Sequence, residues 1–238
     1  MIAGLLIFPG LLLARTYSTS FQLTEDPISE GGKWINGKIN GLNWSDVRTT
    51  PGFAFGTQSG FNRYDDSTAV LDGTWGANQT ACATARIPPS LTATYEEVEL
   101  RLRTTITGGG ITGYEINFSA SSASNAYIQI VRWNGPYGDF TYLATRSGPG
   151  VHTGDRLCAS IATGANNVST INVWINGGAP ILTGTDSTYS NGGPGIGFYM
   201  DGGTSVNSAD FGWTDFTATD GVATTPPAAP AGLKAVVH

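Results

Sequence analysis

The stretch INVWINGGAPILTGTDSTYSNGGPGIGFYMDG, residues 171–202, decides the fold class of this chain. Its two ends carry short apolar segments with the period-two alternation that is typical of β-strands. Asn-Gly pairs stand at 176–177 and 191–192. Because Asn tolerates a positive φ and Gly favours it, these pairs predict tight hairpin turns. The stretch therefore predicts antiparallel strands joined by short turns.

The same pattern extends over most of the 238 residues. About a dozen strand-like segments, from TSFQL at 19–23 to ADFGWTDFTAT at 209–219, are separated by Gly, Asn, Pro or Asp. The 33 Gly residues disfavour helices, and the hydrophobic fraction of 40% is enough for a core. The sequence therefore predicts an all-β sandwich or barrel that forms a single domain.

Residues 171–202 resemble the C-terminal half of concanavalin A-like (laminin-G-like) jelly rolls, the superfamily of lectins and glucanases. In these domains a strand–Asn-Gly–strand segment and a Gly-rich segment precede the closing strand. FQLTEDPISEGGKWING, residues 21–37, is similar to the opening of bacterial members. The resemblance covers most of 19–219. It implies a two-sheet antiparallel jelly-roll sandwich with a groove across the concave sheet, and carbohydrate as the commonest ligand. It does not fix an activity, since the fold hosts lectins, hydrolases, lyases and adhesion modules.

The two ends of the chain differ in composition from the predicted sandwich, which we place at 19–220. Residues 1–18 begin with MIAGLLIFPGLLLA, which is either a leader-like segment or an apolar segment packed on the domain. Residues 221–238 are rich in Pro, Ala and Thr, which predicts a linker. Within them APAGLKAVV resembles the start of a fibronectin type III domain. We therefore expect a secreted or extracellular protein, with further domains in a longer chain.

The charge balance and the length of the apolar runs argue against two classes of protein. Twelve Lys and Arg stand against 18 Asp and Glu, which gives a net charge of −6, and the basic residues form no run. A nucleic-acid-binding protein needs a basic patch that displaces counterions, so we expect none of that activity. No apolar run reaches the ~20 residues that a membrane-spanning helix requires.

The segment EEVELRLR, residues 96–103, concentrates charge in a chain with only 13% charged residues. Period-two alternation places Glu97, Glu99, Arg101 and Arg103 on one face of a strand. This face is either an ordinary solvated sheet surface or the floor of a groove, and the sequence alone leaves both open.

The next two strand segments favour the groove. Glu115 and Asn117 alternate with apolar residues in TGYEINFSA, and Tyr127, Gln129 and Trp133 share a side of AYIQIVRW. If these strands are neighbours, aromatic, amide and charged groups meet on one face, where they suit a sugar. We then expect Trp133 and Tyr127 to stack on the sugar ring, and the polar and charged side chains, the arginines included, to bond its hydroxyls or a uronate. The predicted ligand-binding residues are Arg101, Arg103, Glu115, Asn117, Tyr127, Gln129, Trp133 and Tyr137.

The motifs for catalysis are incomplete. The E-x-D-x-x-E strand of the glucanases of this fold is absent. Glu99-Leu100-Arg101 and the later Gln129-Ile130 resemble pieces of the alginate-lyase pattern, but Val131 replaces its His, and its Tyr/Lys strand is missing. The catalytic candidates are Glu99, Arg101, Glu115 and Gln129. We expect non-catalytic binding of a polysaccharide or cell-surface glycan. The alternatives are a polysaccharide lyase or glycoside hydrolase in the same groove, and an adhesion module without glycan binding.

Cofactors and cysteine pairing stay open at this level. Jelly rolls of this type often bind Ca²⁺, but no acidic run has EF-hand spacing. Cys82 and Cys158 lie in alternating apolar segments and are either buried thiols or a disulfide, which secretion would favour. The candidate oxygen donors for calcium are Asp65, Asp66, Asp201, Asp210 and Asp215.

Overall fold

A computed structural model of the protein shows fifteen strands and three short 3-10 helices among the residues it describes. The described residues are 14–41, 43–59, 66–88, 95–120, 125–201 and 207–221. In chain order the strands are β1 Thr16–Thr19, β2 Trp34–Asn36, β3 Val47–Thr50, β4 Phe53–Gly56, β5 Ser67–Leu71, β6 Gln79–Arg86, β7 Tyr95–Thr107, β8 Gly110–Ser119, β9 Tyr127–Gly135, β10 Phe140–Ser147, β11 Arg156–Thr163, β12 Ser169–Ile175, β13 Leu182–Asp186, β14 Gly193–Asp201 and β15 Gly212–Thr219. The 3-10 helices are Lys38–Asn40, Ala165–Asn167 and Ser208–Asp210.

The strands form two sheets, and every pairing between the described strands is antiparallel. Sheet 1 has the order β13-β12-β11-β6-β15-β4-β3, with β1 added to β15. Sheet 2 has the order β10-β9-β8-β7-β14-β5-β2. The predicted all-β, two-sheet antiparallel jelly-roll sandwich is confirmed.

The core lies between the sheets and follows from the period-two alternation. Tyr114, Ile116 and Phe118 of β8 are fully buried in it. Phe216 and Trp213 of β15 pack into the same cluster from sheet 1. Burial of such large side chains contributes about 1.5–3 kcal/mol each and stabilises the sandwich. From Tyr114 to Phe118, the even-numbered residues of β8 therefore face the core and the odd-numbered residues face the outer side of sheet 2.

Two local expectations have a clear outcome. The strand predicted at 19–23 is wrong, because β1 ends at Thr19 and Phe21 has a φ of 51°, outside the β region. Cys82 and Cys158 are cross-strand partners on β6 and β11, and they form a disulfide. The open question about these cysteines is therefore answered in favour of the bridge.

The predicted ends fall mostly outside the described residues. Residues 1–13 of the leader-like segment and 222–238 of the predicted linker are not among them. The strand β1 begins at Thr16, inside the segment predicted as leader-like. The domain boundaries and the further domains stay predictions. In the part of the chain that the structure describes, no helix has the length and hydropathy to cross a membrane.

Candidate functional site

The outer face of sheet 2 forms a groove with a cavity of about 420 Å³. Strands β7, β8, β9, β10 and β14 supply most of its surface, so it crosses the middle of the sheet. The lining residues are Asp66, Tyr95, Glu97, Glu115, Asn117, Tyr127, Gln129, Val131, Trp133, Phe140, Tyr142, Tyr199 and Asp201.

The register of three neighbouring strands brings the predicted polar residues together. On β8, Asn117 pairs with Glu99 of β7 on one side and with Gln129 of β9 on the other. Two residues away, Glu115 pairs with Arg101. Because side chains of directly opposite residues share a face, these groups form a polar stripe across the sheet. The prediction that β7, β8 and β9 are adjacent and share this face is confirmed by the pairing.

Arg101 lies beneath the groove floor and has no exposed surface. Its Nη2 lies 2.5 Å from Glu99 Oε2 and 3.6 Å from Asp66 Oδ2, and its Nη1 forms an ion pair with Glu115. Its guanidinium carbon lies 5.0 Å from the ring centroid of Trp44, within cation–π range. The structure therefore contradicts the expectation that Arg101 contacts a ligand; it holds the floor carboxylates instead.

The electrostatics of this cluster follow from burial and from its uneven charge. Burial works against the charge of Arg101, but the carboxylates of Glu115, Glu99 and Asp66 outweigh it and raise the pKa of Arg101. Burial also raises the pKa of Glu99 well above its usual range, and the nearby charge of Glu115 adds to this. Three carboxyl groups share one guanidinium, so Arg101 stays charged and Glu99 takes up a proton more readily than an ordinary glutamate does.

Glu97 and Tyr127 form a second buried pair at the groove surface. The Tyr127 hydroxyl donates to Glu97 Oε1. Burial raises the pKa of Glu97 to about 8, although the Tyr127 hydrogen bond works in the opposite direction. Burial and the adjacent Glu97 also raise the pKa of Tyr127. With its pKa raised to about 8, the Glu97 carboxyl group is mostly protonated at neutral pH.

Trp133 lines the groove but is only 3% exposed. It packs edge-on against Trp44, with ring centroids 4.6 Å apart, and its Nε1 donates to Glu115 Oε2 at 2.6 Å. This burial contradicts the expectation that Trp133 stacks on a sugar as an open platform. Its hydrogen bond orients Glu115. The most exposed aromatic surface in the groove is that of Tyr142, which is 55% exposed.

Besides Arg101, two predicted ligand-binding residues lie outside the groove lining. The pairing of β7 with β8 is irregular between Leu102 and Thr105, and Arg103 has a φ of 46° there. This irregularity turns the Arg103 guanidinium toward sheet 1, where it donates to Thr163 Oγ1 and Ser169 Oγ, so its predicted place beside Arg101 is wrong. Tyr137 lies between β9 and β10, 41% exposed.

Sequence reasoning missed several lining residues. Phe140 and Tyr142 alternate on β10, and Tyr199 and Asp201 alternate on β14. The period-two signal on both strands was available. The missing information was their place in the sheet, because β14 pairs with β7 across about a hundred residues of sequence. The missed lining residues are Asp66, Tyr95, Phe140, Tyr142, Tyr199 and Asp201.

The described residues do not form a clear calcium site. Carboxylate oxygens of Asp66, Glu99 and Glu115 lie within 4.8 Å of one another. The guanidinium of Arg101 already lies among them as the compensating cation. Of the predicted donors, Asp66 and Asp201 line the groove. In contrast, Asp215 forms an ion pair with Arg156 on sheet 1, Asp210 lies in a 3-10 helix, and Asp65 is outside the described residues. Calcium binding stays a prediction.

The four catalytic candidates occupy different positions. Glu99 and Arg101 are fully buried below the floor, whereas Glu115 and Gln129 line the groove. The Asn117 amide approaches Gln129 Oε1 at 3.5 Å. Groups that would contact a bound molecule are therefore those of the lining, whereas Arg101 contacts Glu99 and Glu115 from below the floor.

The architecture and the groove define a concanavalin A-like jelly roll, the fold that the sequence resemblance predicted. No family model matches the chain, and no curated protein matches it in sequence. Many solved structures are similar, among them the following three. The metal-free carbohydrate recognition domain of Emp46p is 11% identical, with a TM-score of 0.55, and the match covers 87% of this chain and 97% of that one. The CBM2 module of an evolved Dit from Lactobacillus casei BL23 phage J-1 is 14% identical, with a TM-score of 0.52 and coverage of 87% and 95%.

The third is the exoplasmic/lumenal domain of VIP36 in its Ca²⁺/Man3GlcNAc-bound form. It is 9% identical, with a TM-score of 0.52, and the match covers 81% of this chain and 86% of that chain. At these identities the likeness establishes the fold, and the function has to be argued from the site.

Proposed function

We propose that the protein binds carbohydrate in the groove of sheet 2 without acting on it chemically. The observation that carries this proposal is the composition of the lining, where exposed tyrosines stand beside amide and carboxyl groups. The flat faces of Tyr95 and Tyr142 offer apolar surface to the C–H faces of a sugar ring. Asn117, Gln129 and Glu115 offer hydrogen-bonding groups to its hydroxyls.

The similar structures support this proposal. One is a carbohydrate recognition domain, one is a CBM2 module, and one is a lumenal domain bound to Man3GlcNAc. The last of these shows that a sandwich of this fold can hold a sugar. The disulfide between Cys82 and Cys158 supports an extracellular location, because disulfides persist in oxidising compartments.

A polysaccharide lyase or glycoside hydrolase is the second candidate function. The observation in its favour is the Glu97 carboxyl group, whose pKa is raised to about 8 in the groove beside the Tyr127 hydroxyl. A carboxyl group that is protonated at neutral pH has the property required of a general acid. Release of reducing ends or of unsaturated sugars from a polysaccharide panel, lost in Glu97→Gln, would support this alternative over simple binding.

Glycan-array screening followed by affinity measurement tests the main proposal. Tyr142→Ala should weaken binding of any glycan found about tenfold, since it removes an exposed aromatic face from the groove. Tyr137→Ala is the matched control, because it removes a tyrosine of similar exposure outside the lining. Equal losses in the two variants, or none in either, would contradict the groove assignment. An array without any bound glycan would favour an adhesion module.

A further inference from the structure

The ionisable side chains that line the groove carry carboxyl or phenol groups. The carboxyl groups belong to Asp66, Glu97, Glu115 and Asp201, and no Lys, Arg or His is found among the described lining residues. Because the pKa of Glu97 is raised to about 8, the acidic charges near neutral pH are those of Asp66, Glu115 and Asp201. Arg101 is fully buried and already paired with three carboxylates. Among the described residues, a bound molecule therefore meets acidic groups without an accessible positive charge to offset them.

Two hydrogen-bond donors of the lining are engaged by these same carboxyl groups. The Tyr127 hydroxyl donates to Glu97, and the Trp133 Nε1 donates to Glu115 at 2.6 Å. Each donor that binds a carboxyl oxygen is unavailable to a ligand acceptor. The groove consequently presents more acceptors than donors.

One further donor of the lining is engaged in the same way. The Tyr199 hydroxyl donates to Asp201 Oδ2 at 3.3 Å. The carboxyl oxygens of the groove therefore favour a ligand with many hydrogen-bond donors.

We infer that the groove selects glycans built from neutral or amino sugars and discriminates against uronate and sulfated glycans, an inference that rests on the proposed function. Sugar hydroxyls and a protonated amine supply the donors that the lining lacks, and the amine adds a favourable charge interaction. A carboxylate or sulfate supplies only acceptors and is repelled. This replaces the sequence-based expectation that Arg101 and Arg103 neutralise a uronate, because both guanidinium groups are held away from the groove.

One oligosaccharide backbone in three charge forms tests this inference. A glycan array first finds a backbone that binds; the affinities of its neutral, free-amine and 6-carboxylate forms are then measured by calorimetry at about pH 6, where a sugar amine is protonated and a carboxylate ionised. The amine form should bind about tenfold more tightly than the carboxylate form in low salt, with the neutral form between them. The gap should narrow at high ionic strength, since the groove is open to solvent and salt screens its charges.

Asp201→Asn removes one lining charge and leaves the Arg101 cluster intact. It should reduce the preference for the amine form over the neutral form about two- to threefold, because the asparagine oxygen still accepts from Tyr199 while the charge is gone. Asp210→Asn is the matched control, because Asp210 lies in a 3-10 helix outside the groove lining. It should leave the preference unchanged.

The outcomes separate this inference from the proposed function. Tightest binding of the carboxylate form, weakened by Tyr142→Ala, would overturn the charge inference and leave glycan binding in the groove standing. An unchanged amine preference in Asp201→Asn would also count against it. If no glycan on the array binds, the proposed function fails and the inference fails with it.

Discussion

Arg101→Met should destabilise the protein severely and in a pH-dependent way. The guanidinium is fully buried, and it is the shared partner of Glu99, Glu115 and Asp66. Methionine fills a similar volume but leaves these carboxyl groups without their cation. Breaking a buried ion pair from one side costs about 3–5 kcal/mol, because the remaining charge stays desolvated.

The cost should depend on pH because the uncompensated carboxyl groups can take up protons. At about pH 8 we expect the full loss of 3–5 kcal/mol, while at about pH 5 the loss should fall by roughly half as the buried acids become neutral. Urea unfolding followed by tryptophan fluorescence at the two pH values measures both numbers, since Trp44 and Trp133 pack at this cluster.

Arg48→Met is the matched control for this substitution. Arg48 forms an ion pair with Asp26 at 3.6 Å, and both side chains are about half exposed. An exposed pair contributes about 0–1 kcal/mol, so this variant should remain close to the unmodified protein at both pH values. A loss below about 1 kcal/mol in Arg101→Met, or a loss equal at both pH values, would refute the account of a buried charge cluster.

Three further perturbations test the site and the fold. Because the pKa of Glu97 is raised from an ordinary 4.5 to about 8, the contribution of this group to stability is complete below about pH 4.5 and is lost as pH rises to about 8. Glu97→Gln, which stays neutral, should remove up to about 5 kcal/mol of that loss in unfolding experiments at low and high pH. Gly197→Ala places a Cβ against the buried acid–guanidinium pair and should cost about 1–3 kcal/mol, whereas Gly164→Ala, with only an ordinary contact, should be tolerated. Reduction of the Cys82–Cys158 bridge, which spans 76 residues, should lower stability by about 4 kcal/mol, measured as a fall in the unfolding midpoint with thiol reagent.

Most of the correct sequence-based predictions rest on the period-two alternation of apolar and polar residues within single strands. The split of β8 into a core face with Tyr114, Ile116 and Phe118 and a polar face with Glu115 and Asn117 follows from period two alone. The same rule placed the polar residues of β9 correctly, and the hairpin connections made adjacency of consecutive strands the simplest arrangement. These predictions needed only neighbours along the chain.

The errors came from features that are not local. One irregular step in β7 reverses the direction of Arg103, and no propensity marks a positive φ at an arginine. The pairing of β7 with β14, which brings Tyr199 and Asp201 into the groove, depends on the order of strands in the whole sheet. Alternation also gives the face of a side chain without its depth, so Arg101 and Trp133 were assigned to the ligand although neighbouring residues cover them.

The depth of Arg101 links the stability of the fold to the chemistry of the groove. If the Arg101 guanidinium were exposed in the groove, the groove would attract anions. Because it lies below the floor, it instead compensates the charge of Glu115, whose carboxyl group lines the groove as a hydrogen-bond acceptor. We therefore expect some substitutions to change ligand binding without changing stability, and others to change both. Tyr142→Ala changes only the exposed wall, so it should weaken binding and leave unfolding nearly unchanged. Arg101→Met removes the compensating charge, so the fraction that stays folded near neutral pH, where the floor carboxyl groups keep their charge, should prefer the amine form over the neutral form more strongly than the unmodified protein does. A weaker preference there would mean that the floor carboxyl groups do not act on the ligand.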